Sequence, residues 1–171
     1  MQNFMQENEA LSVSFKDLFS KYHKVYATAE SLTAGLISST IVNTPGSSSW
    51  FDRGFVTYSN EAKMELLGVS AETLKTKGAV SDDTAKQMAL GALKNSHADI
   101  AVAVTGIAGP DGGSAQKPVG TVWIGVADKT SCYVKCFVFT GNRESVRDQT
   151  VNEALKALIA LTKGIEPFKI P

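Results

Sequence analysis

Val25-Tyr26-Ala27-Thr28-Ala29-Glu30-Ser31-Leu32-Thr33-Ala34-Gly35-Leu36-Ile37 is the stretch that decides the fold. Residues 25–29 are apolar or β-compatible and read as a strand, and residues 36–42 read as a helix. The turn at 29–35 joins them and places an acid and two hydroxyls at a helix N-terminus. Unpaired N–H groups there favour negative charge, so the turn can serve an incoming phosphate or a developing oxyanion. Ser31 is therefore a candidate nucleophile. A second reading is that Ser31 or Thr33 simply caps the helix, and the turn taken alone is better explained that way.

Outward from this turn, strands and helices alternate. Residues 11–22 form a short amphipathic helix before it, and 43–49 (Asn43-Thr44-Pro45-Gly46-Ser47-Ser48-Ser49) is turn chemistry after it. Residues 51–58 read as a second strand, and 60–67 as a helix that Gly68 can end. A longer helix is expected over 81–96, with Ser81 as its N-cap. The run 99–104, continuously apolar after Asp99, reads as a strand buried on both faces. A loop rich in Gly and Pro follows at 105–118. Alternating runs at 120–127 and 132–140 form a hairpin, and 143–161 is a helix with an apolar stripe through Val146, Ala154, Leu158 and Leu161. The fold expected is an α/β three-layer α/β/α sandwich with a mixed, mainly parallel sheet.

A length of 171 residues suits one domain over 1–171, with the polar, acidic segment 1–10 expected to be flexible. Seventeen basic residues balance seventeen acidic ones, so the chain lacks the electrostatic footprint of a nucleic-acid or membrane-surface protein. The expected partner is a small, specific ligand, with no nucleic acid and no membrane. No apolar signal core opens the sequence and no run approaches the roughly 18 apolar residues of a membrane helix, so the expected location is cytoplasmic. Cys132 and Cys136 lie on one strand about 13 Å apart, beyond the reach of about 7 Å for a disulfide. With only His23 and His97 besides, ligand number and spacing argue against a metal site.

In such sheets ligands gather at the carboxyl ends of strands. Tyr58-Ser59-Asn60-Glu61-Ala62-Lys63 falls at one of them. If Ser59 or Asn60 caps the helix, Lys63 sits near its first turn, where the macrodipole disfavours a cation. In a partly dry cleft its pKa would fall, leaving a neutral amine as base for Ser31, with Tyr58 supplying a phenolic O–H. A solvated lysine and a core-edge tyrosine are the bland alternative. Thr105-Gly106-Ile107-Ala108-Gly109-Pro110-Asp111-Gly112-Gly113 offers close backbone approach or an anion-binding nest, against the alternative of a plain surface loop. Arg143, at the start of the last helix, could clamp a phosphate. Both histidines sit on the amino side of strands, which argues against a Ser-His-Asp triad.

These segments, with Pro45-Gly46-Ser47-Ser48, Gly54-Phe55-Val56-Thr57, Gly78-Ala79-Val80-Ser81 and Lys117-Pro118-Val119-Gly120-Thr121-Val122-Trp123, resemble in order the CinA C-terminal domain family from about residue 15 to 162. The resemblance implies a deamidase converting nicotinamide mononucleotide to nicotinic acid mononucleotide and ammonia, without a cofactor. By matching position it implies Ser31 as nucleophile, Lys63 as base and Tyr58 as assisting hydroxyl. The candidate substrate contacts are Glu30, Thr33, Thr105, Gly106, Gly109 and Arg143. A homo-oligomer is expected from the apolar faces and the family. Many members carry Cys at the position of Leu32 and Gly at that of Ala34. Some relatives are fused to an N-terminal nucleotide-pyrophosphatase-like domain, and the expectation here is the stand-alone form. The altered turn keeps a second reading open: a non-catalytic nucleotide-binding or regulatory relative.

Overall fold

The structure is a computed structural model that describes residues 3–168. Five strands lie at its centre, β1 (Tyr26–Glu30), β2 (Phe51–Val56), β3 (Ile100–Gly106), β4 (Thr121–Ala127) and β5 (Cys132–Val138). Six α-helices surround them, α1 (Phe4–Tyr22), α2 (Leu36–Val42), α3 (Asn60–Leu67), α4 (Ala71–Thr76), α5 (Asp82–Lys94) and α6 (Arg143–Thr162). The strand order is β2-β1-β3-β4-β5. β1 pairs in parallel with β2 and β3, and β4 is antiparallel to both β3 and β5. Four strands therefore share one direction and β4 alone opposes them.

Alternation along the strands splits the core into two layers. Tyr26 and the β3 residues Ile100, Val102 and Val104 face α1, α2 and α6, where they meet Phe15, Ile37, Ile41, Val151, Leu155 and Leu158. Burying each such aliphatic side chain contributes about 1.5–3 kcal/mol. Tyr26 packs edge-on against Phe15 at 5.0 Å, and its hydroxyl lies 2.7 Å from Thr162 Oγ1. The opposite layer is built from small residues, Ala27 and Ala29 of β1 and Ala101 and Ala103 of β3, beneath Met88, Ala89 and Ala92 of α5. Small side chains let α5 lie close to the sheet. Gly91 continues this closeness, because a Cβ there would collide with the Leu67 carbonyl at the end of α3.

α1 begins at Phe4, earlier than residue 11, and so corrects the expectation of a flexible segment at 1–10 from that point on; residues 1 and 2 lie outside the described residues. Docking explains the difference. Asn8 is buried, donates to the Asp148 carbonyl at 3.1 Å, and accepts from Asn152 Nδ2 at 3.0 Å. The sequence reading also passes over α4. No residue of that helix is buried, so it carries no apolar stripe, and the Ser70 side chain caps it locally.

One feature of the topology positions the site. From β1 the chain passes through α2 to β2 on one side, then returns through α3, α4 and α5 to β3 on the other. The two connections cover opposite faces and the strands they lead to, β2 and β3, flank β1 on its two sides, which opens a crevice at its carboxyl end. Glu30 stands level with Val56 and Val104. The next residues along the three strands, Ser31, Thr57 and Thr105, therefore share one rim.

Candidate active site

Ser31 follows the last residue of β1, and its N–H donates to the Val104 carbonyl at 3.1 Å, which fixes the backbone to β3. The turn continues with Ala34 N–H donating to the Ser31 carbonyl and Leu36 N–H to the Thr33 carbonyl. Ala34 and Gly35 are left-handed, with φ of +48° and +97°. Gly35 takes such a conformation freely and Ala34 does so at some strain. Ala34 is exposed and does not line the cleft, so the replacement of glycine there leaves access to Ser31 open.

Ser59 caps α3 by accepting from Ala62 N–H at 3.0 Å, as its position predicts. Lys63 lies one turn in, yet its side chain runs back past the helix start. It is 1% exposed. Its Nζ lies 3.0 Å from Ser31 Oγ and donates to the carbonyls of Thr57 at 2.9 Å and Tyr58 at 3.4 Å. No carboxylate pairs with it among the described residues. Burial without a countercharge disfavours the ammonium and lowers its pKa from 10.5 to about 8.

A cleft of about 210 Å³ opens over this pair, and Leu32, Thr105, Gly106 and Arg143 line it together with Ser31 and Lys63. Thr105 is buried and donates to the Ala79 carbonyl at 2.8 Å, joining the 78–81 turn to the end of β3. Arg143 donates to the Gly109 carbonyl at 2.8 Å and to the Tyr58 hydroxyl at 3.2 Å, so it bridges the mouth. A larger concavity, about 810 Å³, lies between the starts of α1 and α6 and contains none of these groups.

Several expected contacts fall elsewhere. Glu30 and Thr33 are fully buried and do not line the cleft. Glu30 Oε1 accepts from Thr33 Oγ1 and Ile37 N–H at 2.7 and 2.8 Å, and Oε2 from Ser38 N–H, Ser38 Oγ and Thr28 Oγ1 at 3.0, 2.7 and 3.2 Å. Glu30 thus supplies the negative charge that the start of α2 attracts, and that N-terminus is closed to a ligand. Gly109 offers its carbonyl to Arg143 and does not line the cleft; its φ of +84° and the contact a Cβ would make with Val119 require glycine. The Tyr58 hydroxyl, on a side chain 60% exposed, sits at the mouth beside Arg143 instead of beside Ser31.

The sequence reading missed Arg147. Its Nε donates to the Leu32 carbonyl at 3.0 Å and its Nη2 to the Thr33 carbonyl at 3.1 Å. A signal existed: residues four apart share a helix face, so Arg143 and Arg147 point the same way.

A mixed α/β/α sheet with a buried hydroxyl–amine pair at its switch point defines a domain built around a small-molecule cleft. The profile of the CinA C-terminal domain matches residues 8–162, and the chain belongs to that family. It is 56% identical over 132 residues to the nicotinamide-nucleotide amidohydrolase PncC of Enterobacter agglomerans, a match covering 77% of this chain and 80% of that protein. The protein of the same name from Escherichia coli strain K12 is 52% identical with the same coverage. A CinA-like protein of Geotalea daltonii is 49% identical across 91% of this chain, which spans only 38% of that longer relative. Among solved structures, the competence/damage inducible protein CihA of Agrobacterium tumefaciens superposes with a TM-score of 0.90 at 47% identity, covering 94% of this chain and 99% of that one. A CinA superfamily protein of Escherichia coli superposes at 0.87 with 33% identity and 94% of each chain covered.

Proposed function

We propose that this chain hydrolyses the carboxamide of nicotinamide mononucleotide to nicotinic acid mononucleotide and ammonia, with Ser31 as nucleophile and Lys63 as base. The observation that carries the reading is the 3.0 Å approach of Lys63 Nζ to Ser31 Oγ, where the amine is buried and unpaired by any carboxylate among the described residues. The relatives named as nicotinamide-nucleotide amidohydrolases supply the substrate.

A neutral amine has two N–H bonds and one lone pair. The Thr57 and Tyr58 carbonyls take the two N–H bonds, which leaves the lone pair for the Ser31 O–H. Ser31 Oγ attacks the amide carbon as its proton passes to Nζ. The resulting ammonium returns a proton to the departing nitrogen, and ammonia leaves an acyl-enzyme. Water then attacks the acyl carbon, giving its proton to the same amine, and Ser31 is regenerated with release of the acid. Leu32 lines the cleft beside Ser31, and among the described residues its N–H meets no backbone acceptor, so it is the donor for the developing oxyanion. Thr105 and Gly106 form the wall beneath the nucleotide. Arg143 and Tyr58 at the mouth take the phosphate, which replaces the Gly109 carbonyl as the guanidinium's acceptor.

Ammonia release from nicotinamide mononucleotide by wild type, Ser31→Ala and Lys63→Ala tests this. Wild type should turn over, and each variant should lose at least about 10³-fold in kcat. Folded wild type that binds the nucleotide but releases no ammonia would establish the non-catalytic reading instead. Turnover surviving both substitutions would remove Ser31 and Lys63 from the mechanism.

A further inference from the structure

We propose that Arg147 is a positioning residue that holds the Ser31 turn in register with Lys63, an inference that rests on the Ser31–Lys63 reading above. The turn's own bonds, Ala34 N–H to the Ser31 carbonyl, Leu36 N–H to the Thr33 carbonyl and Thr33 Oγ1 to Glu30, leave the Leu32 carbonyl to be held from outside. The turn contains two consecutive left-handed residues, one of them the non-glycine Ala34. The Leu32 carbonyl accepts from Arg147 Nε, and the Thr33 carbonyl accepts from both Arg147 Nη2 and the Leu36 N–H. One planar guanidinium thus fixes two successive peptide groups immediately after the nucleophile.

The anchor itself is rigid. Val146, Thr150 and Val151 around Arg147 on α6 are completely buried, so the helix cannot shift without exposing core. No carboxylate pairs with Arg147 among the described residues, which leaves its fork committed to the turn. Ser31 meets Lys63 from a different element, so the 3.0 Å contact depends on the turn holding its shape. With the guanidinium removed, the Leu32 carbonyl loses its donor and the turn gains alternatives that carry Oγ away from Nζ. Displacements near 1 Å cost on the order of 10²-fold in rate. Lysine cannot restore the contact fully, because a single ammonium lacks the planar fork that spans two carbonyls.

The test compares Arg147→Met and Arg147→Lys with wild type in three readouts: steady-state kinetics on nicotinamide mononucleotide, the pH midpoint of kcat, and the rate at which a fluorophosphonate labels Ser31. Thermal melting establishes that each variant is folded. For Arg147→Met the expectation is a kcat loss of about 30- to 100-fold with KM within about 3-fold and the pH midpoint unmoved. Labelling of Ser31 should slow in parallel, Arg147→Lys should fall between, and millimolar guanidinium should partly restore Arg147→Met. If Arg147→Met does not fold, Arg147→Lys carries the same comparison, and failure of both to fold would assign Arg147 to stability and overturn the proposal. A folded variant with wild-type kcat and labelling rate overturns it. So does a loss confined to KM, which would make Arg147 a substrate contact, or a displaced pH midpoint, which would make it a modulator of the Lys63 charge. Labelling that slows as expected in a protein that does not turn over the nucleotide leaves the positioning role standing and removes only the substrate. Wild-type Ser31 that does not label at all removes both.

Discussion

Replacing Lys63 by Met should make the stability of this protein less dependent on pH in the alkaline range, by an amount the structure sets. Lys63 is 1% exposed, and burial lowers its pKa from 10.5 to about 8. The folded protein releases this proton near pH 8, whereas the unfolded chain keeps it until its own pKa. Between the two values the unfolded state binds more protons, so wild-type stability rises with pH through that window. The full change is about 3 kcal/mol, of which about 2 kcal/mol falls between about pH 7 and pH 9.5. Met has similar length and no titration, so it removes the rise. Urea unfolding of both proteins across this range, followed by the fluorescence of buried Trp50, gives the difference in stability at each pH. Cys132 and Cys136 ionise late because burial raises their pKa values, but both proteins carry them and they cancel. The stability of wild type relative to Lys63→Met should climb by about 2 kcal/mol. A difference flat to within about 0.5 kcal/mol would refute a buried, unpaired amine, and with it the base.

The same proton should appear in turnover: kcat/KM for ammonia release should rise about tenfold per pH unit below about 8 and level off above it, and a profile flat in acid would exclude Lys63 as the base. Glu30→Gln presents an amide NH₂ to donors that now meet a carboxylate oxygen, and should lower the unfolding free energy by about 2–4 kcal/mol in urea titrations; a change under about 0.5 kcal/mol would contradict its capping role. Ala34→Gly relieves a φ of +48° but loosens the unfolded chain, for a net gain of about 0.5–1 kcal/mol with kcat and KM unchanged, and a shift in either constant would show that Ala34 reaches the site after all. Gly91→Ala has the better helix propensity by about 1 kcal/mol, yet should destabilise by about 2 kcal/mol because its Cβ meets the Leu67 carbonyl; a raised melting temperature would mean that α3 and α5 can separate.

Most elements were readable because their signals are local. Ser59, Ser81 and Asn142 cap helices through their own side chains, a contact made within three residues, whereas the same cap at Ser70 did not reveal α4, which lacks an apolar stripe. The run 100–104 is apolar throughout because both faces of β3 are covered, and the paired alternating runs at 120–127 and 132–140 show the β4–β5 hairpin. The first turns of α1 were hidden, since their partners Asp148 and Asn152 lie some 140 residues away. At the site, Ser31 and Lys63 could be singled out by type and place, one in a strand-to-helix turn and the other a cation near a helix start. Glu30 and Thr33 looked equally available there. What removed them from the cleft was a set of hydrogen bonds reaching to Ser38, which spacing alone does not order.

The sequence by itself determined the alternation of strands and helices, the family, and which residue types stand at the carboxyl ends of the strands. Hydrophobic period, caps and turn chemistry are properties of neighbouring residues, so they survive without coordinates. Only the tertiary structure decided that Lys63 reaches Ser31, that Glu30 closes the helix start, that Tyr58 stands with Arg143 at the mouth, and that Arg147 holds the turn. Those outcomes depend on the register that sets Ser31, Thr57 and Thr105 at one rim and on α6 returning across it. Burial and distance are made by the whole chain, and through them the Lys63 amine comes to lie buried against the Ser31 hydroxyl.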